Sequence, residues 1–283
     1  MESFNYQIYL SNYPDLKDFD NLQKAFRHYQ QFGKAEGRVD TPIINKIPTN
    51  SKFGVILFYN IICNYIAKCN NLKMNYLEFT KTKQLGIDLY IGENVYDSTL
   101  ILNNKNIDSI MQNESVFSKN IIIQDTFKTS TVAKFIKDHL LKIKTKIISS
   151  NPYKPRYSAN NDLFIHIRLN GIQNSNDFES FAYYDLIISK ITYDTGYISS
   201  DLINHPICTK LIRKYNLLVI NGDEIKTIQW GSTCKWIVLS KSMFSWLIGV
   251  FGFYSTIYYP ERLGKKNKHG NIFIFKDWNK VNY

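Results

Sequence analysis

From residue 163 onward, short apolar runs alternate with amphipathic helical patterns, and this alternation limits the possible folds most strongly. Leu163–Arg168 has the length and composition of a strand, and Phe181, Tyr184 and Ile188 follow it at helical spacing. Further strands are predicted at Tyr197–Ser199, Leu217–Ile220, Trp236–Leu239 and Thr256–Tyr259, and further helices at Pro206–Tyr215, Glu224–Gly231 and Met243–Phe251. Strands separated by helices of this length predict an α/β fold with a parallel, doubly wound sheet.

Residues 50–150 have a similar but weaker pattern, which predicts a first α/β domain. Phe53–Leu57 leads into an apolar helix, and Thr131–Ile143 forms an amphipathic helix with one apolar stripe. Strands are predicted at Asn75–Phe79, Ile87–Ile91 and Asn120–Ile123. The polar segment Ser149–Asp162 contains two prolines and is expected to connect this domain to a second one at residues 160–283.

The first forty residues are expected to form a separate module of short helices. Leu22, Phe26 and Tyr29 share one face at helical spacing. His28 and Tyr29 are interpreted as packing residues, because aromatic side chains in so small a unit are needed for its core. The polar stretch Thr41–Lys52 is predicted to be a linker.

The charge of the chain is compatible with several partners and selects none of them. Lys and Arg number 35 against 24 Asp and Glu, for a net charge of +11. This excess suits nucleic acid, an anionic membrane surface or the diphosphate of a nucleotide sugar, and it equally fits a coding bias toward Lys, Asn and Ile. The basic residues are scattered, which argues against a nucleic-acid groove. The four cysteines form no C-x-x-C pair, so we expect reduced thiols and no zinc site.

Two apolar stretches invite comparison with membrane-spanning helices. Phe53–Ala67 is shorter than the roughly 20 residues needed to span a bilayer. Met243–Pro260 is long enough but divides into a helix and a strand and contains several polar and small residues. The N-terminus also lacks the basic and apolar regions of a signal peptide. We therefore expect a cytoplasmic protein without a transmembrane segment.

The first candidate functional segment lies at the end of the strand Leu163–Arg168. Doubly wound sheets bind ligands beyond the carboxyl ends of their strands. Alternation along the strand puts His166 and Arg168 on the same face, and an arginine can hold a diphosphate through two parallel hydrogen bonds. The alternative is that Arg168 forms a structural ion pair and His166 is a core histidine.

Two further segments follow later strands and carry hydroxyl groups. Ser200 and Asp201 can bind a ribose or a base edge, but the same groups are good helix caps. The segment from Ser240 to Ser245 places hydroxyls and Lys241 at a helix start, where free backbone N–H groups attract anions. Ordinary N-capping by Ser240 or Ser242 is the alternative there.

Taken in order, the three segments read His-Ile-Arg-x-x-Gly, Ser-Ser-Asp and Leu-Ser-x-Ser-x-Phe-Ser-Trp. This order resembles the three-motif pattern of the α-1,2-fucosyltransferase family and, more distantly, the protein O-fucosyltransferases and α-1,6-fucosyltransferases. The resemblance covers roughly residues 53–262, and motif agreement is dense only after residue 163. Phe53-Gly54 before an apolar helix resembles the opening of that family's first domain. The first forty residues resemble a helical module found beside many bacterial-type glycosyltransferases.

The resemblance implies an inverting, metal-independent transferase with the GT-B architecture, in which two Rossmann-like domains face a cleft. GDP-fucose would be the donor co-substrate, a glycan hydroxyl the acceptor, and no other cofactor would be needed. Arg168 would be the catalytic residue, holding the β-phosphate and stabilising the leaving GDP, while Asp201 would face the base or ribose. The donor-binding residues implied are His166, Arg168, Ser200, Asp201, Ser240, Ser242, Phe244 and Ser245.

Departures from the family pattern leave other functions open. Residues 169–172 lack the second Arg and the Asp of the family motif, and Asp177, Glu179 and Glu93 are undistinguished candidates for a general base. A catalytically inactive relative that binds a sugar or nucleotide is therefore the main alternative. A nucleic-acid-binding protein is a third hypothesis, supported only by the charge of +11 and the 15% aromatic content.

Overall fold

The computed structural model of the protein describes residues 4–16, 18–36, 38, 40, 45–49, 51–112, 116–169, 179–261 and 272–283. It has a mixed α/β fold with a six-stranded parallel sheet. Over these residues, no helix combines the length and apolar character needed to cross a membrane.

The N-terminal module contains two short helices, α1 (Tyr6–Asn12) and α2 (Leu22–His28), with a 3-10 turn at Pro14–Leu16 and a π-helical turn at Tyr29–Gly33. The hydroxyl of buried Tyr9 shares a hydrogen bond of 2.9 Å with Nδ1 of His28, so His28 does pack inside the module. The predicted apolar face is wrong at Leu22, which is 46% exposed, because the small core closes on Ala25 instead.

The first half of the protein consists of short strands and longer helices. These are β1 (Asn45–Lys46), α3 (Phe53–Asn70), β2 (Met74–Asn75), α4 (Phe79–Gln84), β3 (Thr99–Leu102), α5 (Ile107–Gln112), β4 (Asn120–Ile123), α6 (Ser130–Lys142) and α7 (Lys144–Ser150). β1 pairs with β2 and β3 with β4, both in parallel. The buried side chain of Asn45 accepts a hydrogen bond of 2.7 Å from the backbone N–H of Ile121 and thereby joins the two pairs in the order β2-β1-β4-β3. β1 lies inside the stretch predicted to be a linker.

Two predicted strands of the first half are wrong in part or in whole. Only the first residue of the predicted strand Asn75–Phe79 belongs to β2, and Phe79 already begins α4. Residues 87–91 form no strand although the segment is partly buried. Side chains take the place of a neighbouring strand there: Asn64 accepts from the N–H of Tyr90 at 2.7 Å, and Tyr76 donates to its carbonyl at 2.8 Å.

The second half contains the large sheet and matches the predicted alternation closely. Its elements are β5 (Leu163–Ile167), α8 (Phe181–Ile188), β6 (Gly196–Ser200), α9 (Pro206–Tyr215), β7 (Leu218–Val219), α10 (Glu224–Gly231), β8 (Trp236–Val238), α11 (Met243–Phe251), β9 (Thr256–Glu261) and β10 (Asn279–Asn282). The strand order is β10-β9-β8-β5-β6-β7, and β5 is buried along its whole length. From β5 the chain moves outward through β6 to β7, and β8 starts again on the other side of β5. The sheet therefore has a topological switch point between β5 and β8.

The two halves share one apolar core. It runs from α3 and α6 of the first half to α10 and α11 of the second. Within it the rings of Phe58 and Trp246 pack edge to face, with their centroids 5.9 Å apart. The segment expected to connect two domains is itself fixed to the second half, because Asn151 donates to the carbonyl of Gln229 at 2.9 Å. A smaller cluster, which includes Tyr183, fills the opposite face of the large sheet.

Candidate functional site

A cleft of about 880 Å³ opens where β5, β6 and β8 end. One wall is formed by the loops that follow these strands, and the other by the first half, at the start of α3 and at Glu78 and Lys128. The cleft therefore lies at the topological switch point, the usual place for ligands in sheets of this type.

Arg168 follows β5 directly and is held by Asp201, which follows β6. The guanidinium lies 2.9 Å from Oδ2 of Asp201, and Oδ1 of the same carboxylate accepts a hydrogen bond of 2.8 Å from the N–H of Leu169. The backbone thus orients the carboxylate, which in turn orients the guanidinium. Arg168 forms the structural ion pair proposed as the alternative and still lines the cleft, where its remaining N–H groups can bind an anion.

His166 lies in the centre of β5 and is almost completely buried. Its Nδ1 shares a hydrogen bond of 2.5 Å with the hydroxyl of Ser245, and its ring lies 5.1 Å from that of Phe244. The pKa of His166 is lowered to about 4, mainly because burial disfavours the charged imidazolium; nearby Asp201 opposes the shift and Arg168 adds to it. The imidazole is therefore neutral at neutral pH, and any hydrogen bond to a ligand falls to Nε2 because Nδ1 is already engaged.

The three serines of the third motif form a connected network between β8 and α11. The hydroxyl of Ser245 lies 2.7 Å from that of Ser240 and accepts a hydrogen bond of 2.9 Å from Ser242. Ser242 also caps α11 by accepting from the N–H of Ser245 at 3.1 Å. Ser240 in turn accepts from the N–H of Arg168 at 3.1 Å. Through these bonds the start of α11 is fixed to the end of β5.

The structure brings all three motifs together, although not every predicted side chain reaches the cleft. The predicted residues that line it are His166, Arg168, Ser200, Asp201, Ser242 and Phe244. Ser240 and Ser245 are fully buried behind this surface. Because they bind His166 and the backbone of Arg168, they hold residues of the cleft in position.

The start of α3 forms the opposite wall and packs directly on the start of α11. A Cβ atom at Gly54 would lie 2.9 Å from Cβ of Phe244 and 3.0 Å from its Cα, so only glycine allows this close approach. The first turn of α3 has no acidic residue, and Lys52 at its N-cap makes no side-chain capping hydrogen bond. Two helix N-termini with their partial positive charge therefore meet at the cleft.

Several charged residues of the cleft had no signal in the sequence. Asp223 and Glu224 follow β7, whereas Glu78 and Lys128 come from turns of the first half. Lys81 lies 3.4 Å from Glu78 and 3.5 Å from Glu224, which joins the two halves at one end of the cleft. A motif search cannot find these residues because their position at the cleft depends on the packing of the two halves.

The residues considered as general bases do not form part of the described cleft. Glu179 is buried, and Glu93 is exposed outside the cleft. Asp177 and residues 170–172, where the family motif is incomplete, lie outside the described residues.

In the part of the chain that the structure describes, no group of three or more His, Cys, Asp or Glu side chains is placed to hold a metal ion.

No protein-family model matches this chain, and no curated protein matches it.

Proposed function

We propose that this protein is a nucleotide-sugar-dependent glycosyltransferase of the GT-B type, with the donor bound in the cleft between its two halves. The observation that carries the proposal is the convergence of three motifs, which begin at residues 166, 199 and 239, at the switch point of a parallel sheet. GDP-fucose is the donor that the resemblance favours, and a glycan hydroxyl is the acceptor.

The charges of the cleft suit a diphosphate. Arg168 and Lys241 line one wall, and the N-termini of α11 and α3 approach from two sides. Oriented N–H groups and a guanidinium together form a strong phosphate-binding arrangement. Arg168 keeps this role despite its ion pair, because one carboxylate cannot engage all five of its N–H donors.

In glycosyl transfer, the bond from the anomeric carbon to the diphosphate breaks and negative charge grows on the leaving nucleotide. A preoriented cation at that oxygen stabilises the transition state more than the ground state. Asp201 supports this action by holding the guanidinium in one orientation before the donor binds. Neutral His166 supplies a hydrogen bond to the donor and no additional positive charge.

Thermal-shift measurements with GDP, UDP, dTDP and their sugar conjugates test the donor site. At a nucleotide concentration about 100 times the Kd, bound ligand stabilises the folded state by about 2.7 kcal/mol, which raises Tm by several degrees. We expect a shift with GDP or GDP-fucose that disappears in Arg168→Ala. Arg213→Ala, an exposed arginine on α9 outside the cleft, is the control and should retain the shift.

The outcomes separate the hypotheses. A thermal shift with UDP or dTDP compounds alone would still support a transferase but would identify a different donor. The absence of a shift with any nucleotide would contradict the proposal. Release of GDP from GDP-fucose in the presence of glycan acceptors distinguishes an active enzyme from an inactive relative. Oligonucleotide binding that weakens steeply with salt would favour the nucleic-acid hypothesis instead.

A further inference from the structure

The turn that leads from β4 into α6 has an unusual backbone at Phe127. Its φ is +50°, in the left-handed region that favours glycine and is unfavourable for a bulky side chain. Phe127 is nevertheless fully buried, with its ring in edge contact with Tyr59 at 5.7 Å. Strain of this kind persists only where surrounding contacts impose it, and it is concentrated at functional sites.

Contacts on both sides hold this turn in place. Tyr59 donates a hydrogen bond of 3.1 Å to the carbonyl of Asp125, and the N–H of Thr129 donates one of 2.8 Å to the carbonyl of Phe127. The hydroxyl of Thr129 binds Asp108 at 2.5 Å. The residue at the centre of the turn is Lys128, which lines the cleft. The strained backbone therefore fixes the position from which Lys128 enters the site.

Of the described lysines that line the cleft, Lys128 is half-buried, whereas Lys52 and Lys241 are exposed. Arg168 is held by Asp201, and Lys81 joins Glu78 to Glu224. No carboxylate within the described residues forms an ion pair with Lys128, although its side chain is half-buried. A partly buried ammonium without a carboxylate partner attracts an anionic group from a ligand.

The order β2-β1-β4-β3 gives the position of Lys128 along the cleft. Glu78 follows β2, α3 follows β1, and Lys128 follows β4, so Glu78 and Lys128 lie on opposite sides of the start of α3. At the Glu78 end of the cleft, Lys81 forms ion pairs with both Glu78 and Glu224 and so connects this wall to the segment after β7. A nucleoside at the ends of β6 and β7 and a diphosphate between the starts of α3 and α11 leave the Lys128 end for the transferred sugar and the acceptor.

From this placement we infer that Lys128 binds a carboxylate or phosphate of the acceptor, and therefore that the acceptor is an acidic glycan. The inference rests on the proposed transferase function. The donor diphosphate already has Arg168, Lys241 and two helix N-termini, so its charge does not require Lys128.

The test compares acceptors that differ in charge, with GDP-fucose as donor. We would measure kcat/KM for methyl β-galactoside, methyl β-galacturonide and galactose 6-phosphate with the wild-type protein, Lys128→Met and Lys128→Arg. The wild type should prefer an anionic acceptor by about tenfold or more, as expected for a hydrogen bond between charged groups. Lys128→Met should lose this preference through a higher KM, and Lys128→Arg should keep most of it. Lys134→Met, an exposed lysine on α6, is the matched control.

Donor binding is followed in parallel by the thermal shift with GDP, which Lys128→Met should leave unchanged. The inference is overturned if the wild type uses neutral and anionic acceptors equally, if Lys128→Met keeps the preference, or if this variant loses the GDP shift. Absence of any nucleotide shift in the wild type would contradict the transferase instead. Saturation-transfer NMR with free galacturonate, on the wild type and Lys128→Met, still tests the anion site in that case: a Lys128-dependent signal supports it, and equal signals refute it.

Discussion

The buried imidazole of His166 should make the stability of the protein depend on pH in a direction that can be worked out in advance. Its folded-state pKa is lowered to about 4, against the ordinary value of 6.5. Between these two values the unfolded chain binds a proton at this residue and the folded protein does not. Protons therefore favour unfolding, and the free energy of unfolding should fall as pH decreases from 6.5 to 4 and level off below that.

The size of the effect follows from the separation of the two pKa values. One group with this shift contributes about 2 kcal/mol of lost stability between pH 7 and pH 5, and about 3 kcal/mol by pH 4. In His166→Asn the group that titrates is absent, so this part of the pH dependence should disappear. The variant is also expected to be less stable at pH 7, because the hydrogen bond to Ser245 is disturbed. The comparison therefore concerns slopes against pH and not absolute stabilities.

Urea denaturation followed by tryptophan fluorescence at pH 7, 6, 5 and 4.5 gives the free energy of unfolding at each pH. Gln112→Ala, which changes an exposed residue without a titrating side chain at the end of α5, is the control. The control should keep the wild-type slope. The lowered pKa of half-buried His139 affects all three proteins equally and cancels. Equal slopes for the wild type and His166→Asn would refute the reasoning.

Two further predictions concern the packing of α3. Gly54→Ala introduces a Cβ atom 2.9 Å from that of Phe244, so we expect the free energy of unfolding to fall by about 1–3 kcal/mol. The thermal shift with nucleotide should also become smaller. An unchanged Tm would contradict the close packing of α3 on α11. Asn60→Ala removes the hydrogen bonds to the carbonyl of Leu77 (2.8 Å) and the hydroxyl of Thr82 (2.7 Å). The free energy of unfolding, measured by urea denaturation, should fall by about 1–3 kcal/mol. A decrease near zero would contradict this role of Asn60.

The sequence predicted the second half of the fold well because apolar strands and amphipathic helices alternate there at regular spacing. The helices α9, α10 and α11 have the predicted bounds, and α6 is displaced by one residue at each end. β10 was not predicted, since Asn279–Asn282 is a polar edge strand without an apolar pattern. In the first half, the segment around Tyr90 has a strand-like composition but satisfies its backbone through side chains, which no local pattern indicates.

For the site, the sequence indicated the loops of the large sheet and, in the wall opposite them, only Phe53-Gly54 at the start of α3. His166, Arg168 and Asp201 lie at strand ends, where their position follows from the alternation itself. Their mutual contacts, such as the ion pair between Arg168 and Asp201, depend on which strands are neighbours in the sheet. Lys128 enters the cleft next to buried Phe127, which adopts a left-handed backbone, and such a conformation cannot be read from residue types.

The shared core between the halves has a consequence for how ligands enter. Domains joined by a small polar interface rock against each other as rigid bodies, but here α3 is embedded in apolar contacts with α11. Widening the cleft by such a motion would expose Phe58 and Trp246 to water, at a cost that grows with the apolar area uncovered. The binding surface is consequently preorganised, and little free energy is consumed in shaping it when a ligand arrives. Access to the cleft must then be controlled by the loops at its rim, so that ligand exchange is governed by local backbone fluctuations and not by a hinge.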